Sequence, residues 1–315
     1  MMQIEFKIIE KFFTKNNIKA YKGIGDDAAL FKKDDNNLWA ISTDTLNENV
    51  HFITNTDPYK IGWKAMAVNV SDILAMGASP MFALLAISMP KPNNDWLKQF
   101  SKGLFECCKE FNVELIGGDT SRGPLSINVT VLGDVNKNSV LLRSNAKIED
   151  DIWVTGDLGL AALGLKIIKK KIEAPTVITK KSIQALEKPK LNQFTIDKIK
   201  SFCNAAIDIS DGFVADLSHI LKASKVGASV HLKDIPINKW IKKAGQENLA
   251  LYGGDDYQTI LTASKKMRSK IEKLIHKDNL HLSRVGIITK DKKLLISDNG
   301  KEIKLKKGFT HFEKK

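Results

Sequence analysis

Small residues followed by aspartate recur along this chain, and most of these clusters lie at the edge of an apolar segment. The clusters are residues 23–27, 41–45, 69–72, 117–121, 206–212 and 253–257. A carboxylate that adjoins sequence favouring burial needs a cation or several hydrogen-bond donors, because an isolated buried charge is costly. The chain therefore has to fold so that these carboxylates meet positive charge, and several magnesium ions would supply it.

One of these clusters follows an apolar run that stops at two glycines, at residues 115–118. Asp119, two hydroxyl residues and Arg122 come next. We expect a buried strand that opens into a loop binding an anion and a metal. Glycine lets a ligand approach backbone N–H groups, and aspartate and threonine oxygens suit magnesium. The alternative is an ordinary turn between two strands.

Length and composition predict a globular protein with two domains of ordinary size, since the chain has 315 residues and is 43% hydrophobic. The net charge of +13 comes mostly from lysines spread along the chain, which favours a solvated basic surface over nucleic-acid binding. Cys107, Cys108 and Cys203 have neither disulfide nor zinc spacing, so we expect a reducing cytoplasm. We expect no membrane association, because the longest apolar runs fall short of the roughly 20 residues of a membrane helix.

Hydrophobic spacing predicts alternating helices and strands, and hence an α/β fold. Helices are expected at residues 1–15, 57–77, 95–111, 159–168, 210–223 and 266–277. Strands are expected at residues 28–31, 38–43, 81–89, 115–118, 125–135, 152–155, 206–209, 229–232, 258–261, 282–289, 293–297 and 301–305. The polar stretch 136–150 is interpreted as a hinge, so the predicted domains are residues 1–136 and 137–315.

The sequence around several single residues indicates a possible function for them. Asp72 lies at the centre of a helix of small and apolar residues, so a ligand or metal explains it better than an unpaired charge does. His51 closely follows Asp44, and both a structural and a functional role stay open. Arg143, in the hinge, is either a linker charge or a clamp for a phosphate. Gly159 and Gly164 have the separation of the two glycines of a P-loop, but Leu165 stands where the lysine should follow, which excludes that motif.

Taken together, these motifs resemble the thiamine-monophosphate kinase family. It belongs to an ATP-binding superfamily that also contains aminoimidazole ribonucleotide synthetase and selenophosphate synthetase. The likeness covers nearly the whole chain, and motifs in the right order are far more specific than a single Gly-Asp match. The matching segments are residues 23–30, 42–45 with 51–52, 69–77, 115–125, 142–144, 206–212, 253–257 and 308–312.

The resemblance implies a kinase that moves the γ-phosphoryl group of ATP directly, in line, onto the phosphate of thiamine monophosphate. It also implies a homodimer with a synthetase-like two-domain α/β fold. Domain 1–136 would bind ATP and metal and form the dimer sheet, and domain 137–315 would complete the nucleotide and substrate site. The alternatives are another phosphotransferase or synthetase of the same superfamily, and a nucleotide-binding protein without catalysis.

Matching the motifs residue by residue implies a role for each side chain. The magnesium ligands would be Asp27, Ser42, Thr43, Asp44, Asp72, Asp119, Asp208 and Asp211, with the choice between Asp26 and Asp27 left open. ATP would be contacted by Gly118, Asp119, Arg143 and Ser210. Thiamine phosphate would be contacted by His51, Asp255 and Phe309, the last by stacking on a ring. Catalysis would rest on Asp44, Asp72, Asp119, Arg143 and Asp208. The family usually has glutamate at position 255. The aspartate here is shorter by one methylene, which would change how far its carboxylate extends toward the substrate.

Overall fold

The fold is built on two sheets, one from each half of the chain, in a computed structural model that describes residues 7–14 and 19–305. The first sheet consists of β1 (Ala29–Lys32), β2 (Asn37–Asn47), β3 (Ser79–Met89), β4 (Glu114–Arg122) and β5 (Ser126–Asn136). Its strand order is β1-β2-β5-β3-β4, and only β3 and β4 run parallel.

The second sheet has seven strands in the order β12-β11-β8-β10-β6-β9-β7. They are β6 (Asp151–Thr155), β7 (Cys203–Ile209), β8 (Gly227–His231), β9 (Gln258–Ala263), β10 (Leu282–Thr289), β11 (Leu294–Asp298) and β12 (Lys301–Glu302). Only β8 and β11 pair in parallel. The two sheets and their helices confirm the predicted α/β class.

Helices cover the sheets and join them. They are α1 (Pro58–Ala75), α2 (Asn94–Phe111), α3 (Leu160–Ile168), α4 (Thr176–Glu187), α5 (Gln193–Ile199), α6 (Phe213–Ser224), α7 (Lys239–Lys243), α8 (Asn248–Tyr252) and α9 (Arg268–Asp278). The spacing of apolar residues did not reveal α4, α5, α7 or α8. A short helical turn, Ile9–Phe13, falls within the predicted first helix. Within residues 7–14 and 19–305, none of the helices has both the length and the apolarity to cross a membrane.

Helix α1 is buried on almost every side, which is typical of a helix that lacks a polar face. It contacts β2 and β5 of the first sheet, α2, and β7 of the second sheet. Its predicted ends are confirmed: the Asp57 side chain accepts from the Tyr59 N–H, and Gly77 follows the last turn with a φ of +72°. Because α1 touches both sheets, its polar side chains can join the two halves of the chain, as Ser71 does by donating to Asp208.

Helices α1 and α2 approach each other so closely that their backbones touch. A Cβ on Gly62 would lie 2.0 Å from the Phe100 carbonyl oxygen, and a Cβ on Gly103 would lie 1.8 Å from the Tyr59 carbonyl oxygen. The crossing therefore depends on glycine at both positions.

Strand β4 is an exposed edge strand, so the prediction of a buried strand that opens into a loop at the glycines is wrong. Pairing with β3 continues through Gly117 and Gly118 as far as Arg122. Gly118 is needed for close approach rather than for a turn, because a Cβ there would lie 1.8 Å from the Leu85 carbonyl oxygen. Ile116, expected to be buried, is 53% exposed.

The helix crossing generates a stability prediction. Gly103→Ala should destabilise the protein by about 3 kcal/mol, because the added methyl group forces α1 and α2 apart. Urea unfolding followed by circular dichroism measures the change. Lys102→Ala, one residue away on the exposed side of α2, is the control and should change stability by less than about 0.5 kcal/mol. Equal effects of the two substitutions would contradict the backbone contact.

Candidate functional site

Three carboxylates from distant parts of the sequence meet between the two sheets. Asp27 precedes β1, Asp72 lies near the end of α1, and Asp208 lies near the end of β7. Each offers an oxygen atom, and the three oxygens lie within 4.8 Å of one another. The antiparallel register of β1 on β2 pairs Ala29 with Ile41 and so carries Asp27 toward the same end of β2 as Ser42 and Asp44.

Polar side chains of α1 and β2 support this carboxylate cluster. The Ser42 hydroxyl donates to Asp72, and the Ser71 hydroxyl donates to Oδ2 of Asp208 at 2.9 Å. The Asn69 side-chain oxygen accepts from the backbone N–H of Asp44 at 2.9 Å. Three polar residues near the end of α1, Asn69, Ser71 and Asp72, therefore link the cluster to both sheets.

The electrostatics of the cluster favour a bound cation. Burial, followed by the charges of Asp44, Asp208 and Asp27, raises the pKa of Asp72 well above its usual value. Burial also raises the pKa of Asp208 and, despite the neighbouring Arg143, that of Asp27. The buried Oδ2 of Asp27 has no hydrogen-bond partner within the described part of the chain. This set of hard, repelling oxygens fits a divalent cation such as magnesium.

Arg143 contacts the two adjacent aspartates, Asp26 and Asp27, through different groups. Its backbone N–H donates to Oδ1 of Asp26 at 2.7 Å, and its guanidinium donates to Oδ1 of Asp27 at 2.5 Å. Asp26 also forms an ion pair with Lys22 at 2.9 Å. Asp26 is therefore paired with Lys22 and the Arg143 backbone, whereas Asp27 belongs to the carboxylate cluster. The Arg143 side chain is only 14% exposed and lies against Asp27.

A cavity of about 870 Å³ adjoins the cluster between the two halves of the chain. The first half lines it with the end of β2, the turn after it and α1. The second half lines it with α3, the segment after β7, α8 and the loop 253–257. Of the predicted site residues, the cavity is lined by Asp44, His51, Asp72, Asp208, Ser210, Asp211 and Asp255.

His51 and Asp255 belong to the part of the cavity lining that also contains Lys64, a residue that the sequence analysis did not single out. The Lys64 ammonium lies 2.7 Å from Oδ1 of Asp255 and donates to the His51 carbonyl oxygen at 3.2 Å. Nδ1 of His51 accepts from the Asn47 N–H at 3.0 Å, which fixes the ring. The signal for Lys64 was a lone lysine within the apolar run of α1, where a charge needs a partner.

Two further buried aspartates hold loops of the site in place. Asp256 accepts from the Gly159 N–H at 2.8 Å at the start of α3, and burial raises its pKa to about 8. Asp216 accepts from the N–H groups of Asp211 and Gly212. In the 253–257 motif, therefore, Asp256 binds a backbone N–H group, and Asp255 is the aspartate that lines the cavity.

The structure does not bring every predicted site residue to the cluster. The Thr43 hydroxyl lies on the opposite face of β2, where it contacts the Thr130 hydroxyl at 2.9 Å. Asp119 on β4 pairs with Ala86 on β3, and β3 and β5 together separate it from Thr45 on β2. That is roughly 14 Å across the sheet. Its neighbour Gly118 lies on the same edge strand, and Phe309 lies outside the described residues.

Comparisons with known proteins agree with this arrangement. The model of the AIR synthase related protein N-terminal domain matches residues 25–135, and that of its C-terminal domain matches residues 147–298. Thiamine-monophosphate kinase of Buchnera aphidicola from Acyrthosiphon pisum is 43% identical, over 99% of this chain and 100% of the relative. The chain belongs to the thiamine-monophosphate kinase family. This confirms the resemblance that the sequence motifs indicate.

Other members of the thiamine-monophosphate kinase family show the same agreement. The Escherichia coli enzyme is 35% identical over 98% of both chains. A crystal structure of the Stenotrophomonas maltophilia enzyme has a TM-score of 0.79 at 35% identity, covering 96% of this chain and 99% of that one. The structure described as AaThiL complexed with AMPPCP and TMP has a TM-score of 0.84 at 27% identity, covering 99% of both chains.

The raised pKa values predict that magnesium binding depends on pH. Asp27, Asp72 and Asp208 must ionise to bind the ion, so affinity for Mg²⁺ should rise as pH increases above the usual range of a carboxyl pKa, with proton release. Because the folded-state pKa values exceed the unfolded ones, the metal-free cluster favours folding most at low pH, and this contribution is lost as pH rises. Titration calorimetry in two buffers of different ionisation enthalpy measures both quantities. Affinity that is independent of pH, without proton release, would contradict the assignment.

Proposed function

We propose that the protein transfers the γ-phosphoryl group of ATP to thiamine monophosphate, giving thiamine pyrophosphate and ADP. One observation carries this proposal: buried carboxylates with raised pKa values converge beside a cavity whose lining also includes His51, Lys64 and Asp255. Family relatives named thiamine-monophosphate kinase, and the related structure complexed with AMPPCP and TMP, support it.

Within this proposal, both domains contribute to one site. Domain 1–136 supplies magnesium ligands Asp27, Ser42, Asp44 and Asp72, and domain 137–315 supplies Asp208 and Asp211. Ser210 contacts ATP, and His51 and Asp255 contact the acceptor. Arg143 acts on Asp27, which it touches, and reaches ATP only if that ion pair rearranges.

Direct in-line transfer is consistent with the chemistry of these residues. The phosphate oxygen of the acceptor is already ionised near neutral pH, so no strong general base is required. When bound, magnesium supplies the positive charge that offsets repulsion between the phosphates. The carboxylates hold that charge in place, and the walls of the cavity align donor and acceptor. Three free cysteines agree with an enzyme of the reducing cytoplasm.

We further propose that the working unit is a homodimer in which a second copy covers the open face of the first sheet. This face is opposite α1 and includes Leu84, which is 39% exposed, together with hydroxyl groups of Thr43 and Thr130. The register places Asp119 on the same face as its pairing partner Ala86. Because Asp119 is remote from the cluster of its own chain, we propose that it serves the partner subunit's site.

Turnover tests the proposed reaction. Purified protein with Mg²⁺ and ATP should release ADP only when thiamine monophosphate is added, with an equal amount of thiamine pyrophosphate formed. Thiamine and aminoimidazole precursors are the comparison acceptors. Release with one of these would indicate a sister family, and no release with any acceptor would contradict catalysis.

The cluster is tested by Asp72→Asn, which removes a metal ligand and should lower kcat by about 100-fold or more while the fold is retained. Asp35→Asn, at a side chain that is 92% exposed, is the matched control and should leave kcat unchanged. Near-normal turnover of a folded Asp72→Asn protein would refute its role as a metal ligand.

Subunit mixing tests the shared site. Asp72→Asn and Asp119→Asn proteins, each inactive alone, should regain about a quarter of wild-type activity after subunits exchange, because each mixed dimer then contains one site with both residues intact. Sedimentation shows the dimer, and co-purification of an untagged variant with an affinity-tagged one confirms exchange. If the mixture stays inactive, Asp119 acts within its own chain, and if the Asp119→Asn protein is active alone, Asp119 has no part in the reaction.

A further inference from the structure

We propose that Lys64 is a positioning residue for the acceptor: it holds Asp255 and the backbone of His51 in one fixed arrangement. This inference rests on the proposed function, since the acceptor is thiamine monophosphate. Lys64 is 2% exposed and lies on α1, whose neighbouring side chains are almost all apolar. A buried ammonium is costly unless it is paired, so its partners set the geometry around it.

The partners of Lys64 come from different halves of the chain. The Asp255 carboxylate belongs to the loop after α8, and the His51 carbonyl belongs to the turn after β2. The 2.7 Å ion pair and the 3.2 Å hydrogen bond therefore join two segments that no strand pairing connects. Both segments line the cavity, and so does Lys64 itself.

Asp255 is held from several directions in an uncommon backbone conformation. Its φ is +68°, in the left-handed region that non-glycine residues rarely adopt. Its N–H donates to the Ser210 carbonyl at 2.9 Å, and the Tyr257 hydroxyl donates to its Oδ1 at 3.2 Å. Such a conformation persists only where the surroundings determine it strongly. Lys64 supplies the charged contact among them.

The Asp255 side chain is short and has little freedom in this arrangement. Lys64 binds its Oδ1 from the helix side. The ion pair thus fixes where the carboxylate points into the cavity. The acceptor would meet a preorganised carboxylate, and preorganisation lowers the cost of binding.

Steady-state kinetics of Lys64→Met test the proposal, with both substrates varied. KM for thiamine monophosphate should rise by about 30-fold, while KM for ATP changes little, because the contacts lie on the acceptor side. Lys64→Arg keeps the charge and should recover part of the loss. Lys64→Met should raise KM for thiamine monophosphate less in an Asp255→Asn background than in the wild type, because Lys64 acts largely through Asp255.

Lys188→Met is the control for loss of an ion pair that joins the two halves without lining the cavity, since Lys188 pairs with Glu106 at 2.9 Å. It should lower Tm and leave both KM values unchanged. If Lys64→Met lowers Tm but not acceptor affinity, or raises both KM values equally, Lys64 is only structural. If the wild type neither binds nor phosphorylates thiamine monophosphate, the proposed function fails, and this inference fails with it.

Discussion

The repulsion among buried carboxylates is the constraint on which this structure depends. Asp27, Asp72 and Asp208 are brought within 4.8 Å, although burial and proximity both oppose their ionisation. Polar groups of α1 offset part of this cost, because Ser71 donates to Asp208 and Asn69 accepts from the backbone of β2. A helix that is buried on nearly every side thereby becomes the common support of both halves. Destabilising arrangements of this kind are typical of functional sites.

Two cations offset the negative charge from outside the cluster. Arg143 binds Asp27 from the hinge, and Lys64 binds Asp255 from α1. Each ion pair joins the two halves of the chain, so the charge balance that prepares the site also fixes how the halves meet. The cavity between them is consequently part of the same electrostatic arrangement as the cluster, and phosphates entering it would meet metal on one side and a positioned carboxylate on the other.

Sequence periodicity predicted most of the strands and the ends of α1, because each depends on local patterns such as the Asp57 cap. It failed where tertiary context decides. Gly117 and Gly118 indicated a turn, yet strand pairing with β3 extends through them. The meeting of Asp27, Asp72 and Asp208 was implied by motif resemblance, whereas spacing alone cannot show which aspartates converge. Lys64 and Asp256 escaped notice because their partners, Asp255 and the Gly159 N–H, are remote in sequence.

We propose that the three converging carboxylates hold divalent cations for phosphoryl transfer. A crystal structure of the protein with Mn²⁺, a non-hydrolysable ATP analogue and thiamine monophosphate tests it directly, because manganese is located by its anomalous scattering. We expect anomalous peaks within bonding distance of Asp27, Asp72 and Asp208. Nucleotide bound in the cavity with these carboxylates free of metal would contradict it.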